Sequence, residues 1–173
     1  MRYYDFYESP HGRMLLVAGD DALTGVYFDG QKYHPQIEAA WLHDAQHAPL
    51  RQAKRELAEY FGGERKVFAT AIAPEGTAFQ HAVWKGIAAV AFGETITYGE
   101  LAQRAGYAGH ARAAGAATGR NPLTIIVPCH RIVGSTGSLT GYAGGLERKR
   151  ALLTLEGSFG GGQQVMFMPA AAA

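Results

Sequence analysis

Asn121-Pro-Leu-Thr-Ile-Ile-Val-Pro-Cys-His-Arg-Ile-Val133 is the stretch around which the rest of the chain is organised. Leu123 to Val127 has the uncharged, partly β-branched composition of a buried extended segment, and Pro128 ends it. Cys129, the only cysteine, follows at the point where the chain must turn, so its thiol can face a pocket. The thiolate is the nucleophilic form, and a thiol with its usual pKa of about 8.5 is mostly protonated at neutral pH, so a competent site needs a base. His130, the next residue, is a candidate. Taken alone, a free cysteine also reads as inert buried packing, and catalytic Cys and His are more often neighbours in space than in sequence.

The 173 residues are 47% hydrophobic, enough for one sizeable core or two small ones. No stretch approaches the roughly 20 apolar residues that span a bilayer, and Met1-Arg-Tyr-Tyr-Asp5 lacks a signal-peptide apolar segment. A cytoplasmic protein without membrane attachment is expected. A single cysteine excludes an intramolecular disulfide and suits a reducing compartment. The net charge of +1 hides an asymmetry: residues 1–97 carry nine Lys and Arg against twelve Asp and Glu, residues 98–173 seven against three. The basic part holds Cys129, which suits a polyanion such as DNA or, equally, a solvated surface.

Met1 to Glu8, Gly12 to Ala18 and Leu23 to Phe28 read as an antiparallel meander, separated by Ser9-Pro-His-Gly12 and Gly19-Asp-Asp21. Gln31 to Pro49 is polar, with one short helix or loop. Its His34, His43 and His47 match no compact ligand spacing, so no metal is expected. Leu50, Ala53, Leu57, Tyr60 and Phe61 recur at helical spacing, ended by Gly62-Gly63, with their stripe on the meander. Val67 to Ile72 reads as one more strand.

Pro74-Glu75-Gly76 reads as a linker. Thr77 caps a helix to about Ala91, with Phe79, Val83, Trp84, Ile87 and Val90 on one face and Gly93 closing it. Thr97–Gly106 and His110–Gly119 form a helix-turn-helix pattern. The second of these is mostly small residues, which let a backbone approach either another helix or a sugar-phosphate backbone, with Arg112 as the one long side chain. Gly134-Ser-Thr-Gly-Ser138 and Gly141 to Gly145 are glycine-rich loops that match no nucleotide-binding pattern. A last helix presents Leu146, Leu152, Leu153 and Leu155 and ends at Gly157. Glu156 falls three and four residues beyond Leu153 and Leu152, on the face that should be buried. It is either a solvated terminus or a carboxylate paired with an imidazole; His130 needs such a partner, which favours the second.

Pro-Cys-His-Arg, with Asn121-Pro122 upstream and Gly141-Tyr-Ala-Gly-Gly-Leu146 and Leu155-Glu-Gly157 downstream, resembles the O6-alkylguanine-DNA alkyltransferases, from Gly76-Thr-Ala-Phe79 through Gly157. The resemblance implies an α/β fold: a ribonuclease-H-like domain over 1–75, a mainly helical, winged-helix-like DNA-binding domain with the helix-turn-helix over 76–158, and a flexible tail over 159–173. It also implies a protein that moves an alkyl group from guanine O6, and by extension thymine O4, onto its own cysteine and is consumed.

Carried over by position, Cys129 is the acceptor, His130 its base through a bridging water, Glu156 the base's partner and Asn121 the support of the turn. Tyr98 would donate a proton to the leaving guanine. Arg112, with Ala111, Ala113 and Thr97 around it, would meet double-stranded DNA through the minor groove and fill the gap left by a flipped nucleotide. Tyr142, Ala143 and Gly144 would line the base pocket, with the carbonyls of Cys129 and Ile132 facing the guanine amine, and Arg131 would sit in an internal ion pair. The resemblance implies a monomer that uses no cofactor, and because the N-terminal part has no zinc-binding cysteines no metal is expected. Two departures bear on substrate range: Ala143 stands where some members have a serine, and Thr124 where others have a second proline. A noncatalytic damage-binding or regulatory protein and a thiol hydrolase are the alternatives.

Overall fold

The structure is a computed structural model and describes residues 1–158; the tail expected to be flexible, 159–173, lies outside the described residues. Two compact units emerge, one comprising Met1–Glu75 with Pro122–Ile126, the other Gly76–Asn121 and the described residues from Val127 onward.

The first unit is built on a four-stranded sheet in the order β3-β2-β1-β4. Strands β1 (Tyr3–Ser9), β2 (Gly12–Ala18) and β3 (Leu23–Phe28) form the expected antiparallel meander, with Tyr3 opposite Ala18 and Ser9 opposite Gly12. Five consecutive residues of β2, Met14 to Ala18, are buried, as a central strand covered on both faces requires. Helix α1 (Ala48–Phe61) buries Leu50, Ala53, Leu57 and Tyr60. The polar stretch before it contains a two-residue strand, β4 (Leu42–His43), parallel to β1, which its composition did not reveal. The three histidines of this region go separate ways: His34 Nδ1 bonds the Pro35 carbonyl, His43 Nε2 the Asp5 carboxylate and His47 Nε2 the Gly19 carbonyl.

Two extended segments expected from sequence do not form. Val67 to Ile72 is not a strand; only Ile72 bridges Leu23. The buried Glu56 carboxylate takes the backbone N–H groups of Ala69 and Thr70, at 2.9 and 3.1 Å, and so removes them from any ladder. Leu123 to Val127 is buried as expected, save for half-buried Ile126, but is not one extended run. Thr124 N–H bonds the Val26 carbonyl beside β3, and the chain then turns at Ile125, whose φ is +73°. The turn falls where the chain passes from the first unit to the second.

In the second unit, Thr77 and Gln80 form a reciprocal capping box that starts α2 (Ala78–Ala88), and the helix stops three residues short of the expected Ala91. Trp84 donates its indole N–H to the Ala117 carbonyl at 2.8 Å. Gly76 allows the Trp84 ring to approach: a Cβ there would lie 2.5 Å from it. Helices α3 (Tyr98–Arg104) and α4 (Ala111–Gly119) pack together in the helix-turn-helix layout. A short parallel pair, β5 (Ile96–Thr97) and β6 (Ile132–Val133), joins the start of α3 to the residues just after Cys129. Helix α5 (Leu146–Leu155) buries Leu152 and Leu153. Among the described residues no helix is long and apolar enough to cross a membrane.

Candidate active site

Cys129, His130 and Arg131 form a single 3-10 turn, with the Cys129 N–H on the Val127 carbonyl and the Arg131 N–H on that of Pro128. Asn121 Nδ2 donates to the same Val127 carbonyl at 2.8 Å, which ties the start of the turn to the end of α4. The Cys129 side chain is nearly buried. Burial pushes its thiol above the usual range, while a hydrogen bond with Asn121 and the Lys149 charge pull the other way. The group is therefore a thiol at rest and needs a base when it reacts.

The base is in place. His130 and Glu156 are both buried, and Nε2 and Oε2 lie 2.7 Å apart. A carboxylate only accepts, so Nε2 carries the proton and Nδ1 presents a lone pair. Among the described residues Nδ1 has no hydrogen-bond partner. Burial lowers the His130 pKa; Glu156 opposes this, and the Arg131 and Lys149 charges add to it. A neutral imidazole with a free acceptor nitrogen is the state in which a general base works.

Glu156 caps α5 and also receives Arg131, through Nε to Oε1 at 2.8 Å and Nη2 to Oε2 at 3.0 Å; Arg131 Nη1 bonds the Val90 carbonyl. Arg131 is thus held in an internal ion pair. Tyr98, the first residue of α3, donates its hydroxyl to the Thr140 carbonyl at 3.1 Å, and burial raises its pKa, with Cys129 adding to the rise, so the phenol keeps its proton at neutral pH. Tyr142 is half-buried and meets the His130 ring edge-on at 6.5 Å, followed by half-buried Ala143 and buried Gly144. The Ile132 carbonyl already accepts from Lys149 at 2.6 Å, and that of Cys129 from the Ile132 N–H, so each has one lone pair left for a ligand.

Arg112 and Ala113 are exposed and Ala111 is half-buried, all in the first turn of α4. Thr97 is the N-cap of α3, and its hydroxyl is engaged in a capping box with Glu100. The structure thus gathers Cys129, His130, Glu156, Asn121, Tyr98 and Tyr142 around one turn and leaves Arg112 exposed at a helix start.

Sequence reasoning missed Lys149. Its side chain is fully buried, and Nζ reaches the carbonyls of Ile132, Thr140 and Gly141. The signal was available: Lys149 lies three residues after Leu146 and three and four before Leu152 and Leu153, on the same helical stripe that made Glu156 stand out.

Comparison with known proteins points one way. The 6-O-methylguanine DNA methyltransferase ribonuclease-like domain matches residues 2–74, and the DNA binding domain of the same name matches residues 78–158. A methylated-DNA–protein-cysteine methyltransferase of Methanosarcina acetivorans is 46% identical over 156 residues, covering 90% of this chain and 99% of that protein. The protein of that name from Haemophilus influenzae is 44% identical over 89% of this chain and 86% of its own. The crystal structure of Mycobacterium tuberculosis OGT in complex with DNA superposes with a TM-score of 0.82 at 42% identity, covering 90% of this chain and 93% of that one.

Proposed function

Because the chain belongs to the O6-alkylguanine-DNA alkyltransferase family, we infer that it reverses DNA alkylation directly, by transferring the alkyl group from guanine O6 to Cys129. The observation that carries this is the buried single cysteine next to an imidazole whose one free nitrogen is an acceptor and whose other nitrogen is held by Glu156.

His130 Nδ1 takes the thiol proton through a bridging water. Sulfur attacks the alkyl carbon from the side opposite O6, the new S–C bond forms as the C–O bond breaks, and the electron pair leaves with the guanine. Tyr98 turns its hydroxyl from the Thr140 carbonyl and gives its phenolic proton to the base ring, so that guanine departs neutral. Glu156 stabilises the imidazolium formed in the first step, and Asn121 keeps the turn and the thiol in register. The thioether has no route back, so each molecule acts once.

Duplex DNA enters through the minor groove, with Ala111 and Ala113 allowing close approach of α4, Thr97 at the start of α3 alongside, and Arg112 occupying the space of the flipped nucleotide. Tyr142, Ala143, Gly144 and the free lone pair of the Ile132 carbonyl receive the base. The second unit acts in the manner of a winged-helix domain, the protein works as a cytoplasmic monomer, and neither metal nor cofactor enters the reaction. The test is to mix the protein with a duplex containing O6-methylguanine and to weigh the Cys129 peptide. One added methylene, at a yield of one per protein, is expected; an unmodified peptide, or repeated turnover on an ester, would overturn the reading.

A further inference from the structure

One buried ammonium joins three parts of the second unit. Lys149 Nζ donates to the Ile132 carbonyl at 2.6 Å, directly after the Cys129 turn, and to Thr140 and Gly141 at 2.9 and 3.1 Å, at the far end of the glycine-rich loop that leads to Tyr142. The Thr140 carbonyl also accepts from the Tyr98 hydroxyl, so both of its lone pairs are used. An ammonium has three N–H groups and meets three carbonyls. A neutral amine has two N–H groups and a lone pair, which would face one of those oxygens.

We propose that Lys149, in its ammonium form, is a positioning residue for alkyl transfer: it fixes the pocket loop, and with it the Thr140 carbonyl on which the Tyr98 hydroxyl rests, against the Cys129 turn. The proposal rests on the transfer reaction argued above.

Burial lowers the Lys149 pKa to about 8, with Cys129 acting in the opposite sense. The other titratable or charged groups around it are His130, kept neutral by burial; Arg131, whose charge Glu156 takes; and Tyr98 and Tyr142, both phenols. Cys129 alone would make transfer faster as pH rises, because more thiolate forms. Loss of the Lys149 proton acts against that, since the loop and the phenol lose their anchor. The two groups therefore push the rate in opposite directions through the same alkaline range.

The experiment is single-turnover transfer from an O6-methylguanine duplex, measured from about pH 6 to about pH 10. The wild-type rate should stop rising and level off once Lys149 is mostly neutral, because the loss of ammonium then offsets the gain in thiolate. Lys149→Arg, whose guanidinium stays charged, should lose that levelling and keep rising with pH, whatever its rate at neutral pH. A wild-type rate that climbs throughout, or the same levelling in Lys149→Arg, would overturn the proposal. The Cε resonance of Lys149 in the unaltered protein provides a measurement that needs no variant: it should titrate in step with the levelling, and a levelling without that titration also overturns it. If Cys129 gains no mass at any pH, the transfer reading itself fails. Amide exchange across Gly134–Gly145, faster when Lys149 is neutral and unchanged in Lys149→Arg, then still decides whether the loop depends on this charge.

Discussion

Glu156 Oε2 and His130 Nε2 lie 2.7 Å apart with both side chains withdrawn from solvent, and the same carboxylate carries the Arg131 guanidinium on its two oxygens. One group therefore orients the base and neutralises a buried cation. Glu156→Gln should separate these duties. The amide oxygen can still accept from Nε2, but Arg131 loses its counter-charge, and breaking a buried pair by removing one partner costs about 3–5 kcal/mol. Denaturant unfolding should show that loss. Transfer should slow by about tenfold or more, because the imidazolium is no longer stabilised by charge. An unchanged denaturation midpoint together with an unchanged pH–rate profile would contradict both roles.

His130 makes a separate prediction about acid. Its pKa is lowered by burial in the folded state, so below its usual value of about 6.5 the unfolded chain binds a proton that the folded chain does not. Stability is then lost as pH falls through that region and is fully present above it. The urea midpoint of the wild type should drop between neutral and mildly acidic pH by more than that of His130→Gln. Equal acid sensitivity in the two proteins would place the imidazole charge in solvent.

The meander, the helix with the Leu50 stripe and the helix-turn-helix were legible in the sequence because apolar periodicity and Pro or Gly punctuation agree there. Val67 to Ile72 misled because strand composition says nothing about where the backbone donors go, and Glu56, far off in sequence, takes two of them. The turn at Ile125 was hidden for a related reason: a β-branched residue at positive φ is rare enough that no local rule suggests it. At the site, Cys129 with His130 stood out as a dipeptide and Glu156 as a charge on an apolar stripe. Lys149 carried the same stripe signal but sat among Arg148 and Arg150, where a charge run reads as a solvated face.

Arg112 is exposed in the first turn of α4, and among the described residues it has no ion-pair partner. Arg112→Ala should leave folding intact and slow transfer from a duplex much more than transfer from the free modified base, because only the duplex needs a nucleotide held out of the stack. The dependence of duplex affinity on salt should weaken by about one phosphate contact or less. Equal slowing on both substrates would assign Arg112 to the pocket or the fold.

The spent protein should be less stable than the fresh one. Cys129 sits in a closely packed turn, and its sulfur bonds the Asn121 side chain, whose amide also holds the Val127 carbonyl at 2.8 Å. Methylation removes the thiol proton, weakens that hydrogen bond and adds a methyl group to a side chain that is already buried. A lost hydrogen bond is worth about 1 kcal/mol and overpacking about 1–3 kcal/mol, against a total stability of about 5–15 kcal/mol. The strain falls on the 3-10 turn, and through His130 and Arg131 it reaches Glu156 at the end of α5, so that helix should show the first rise in amide exchange. Thermal melts of both forms in one buffer, without DNA, test this. The methylated protein should melt several degrees lower and be cut faster by protease; an equal or higher midpoint would show that the turn has slack, and that single use follows from the strength of the S–C bond alone.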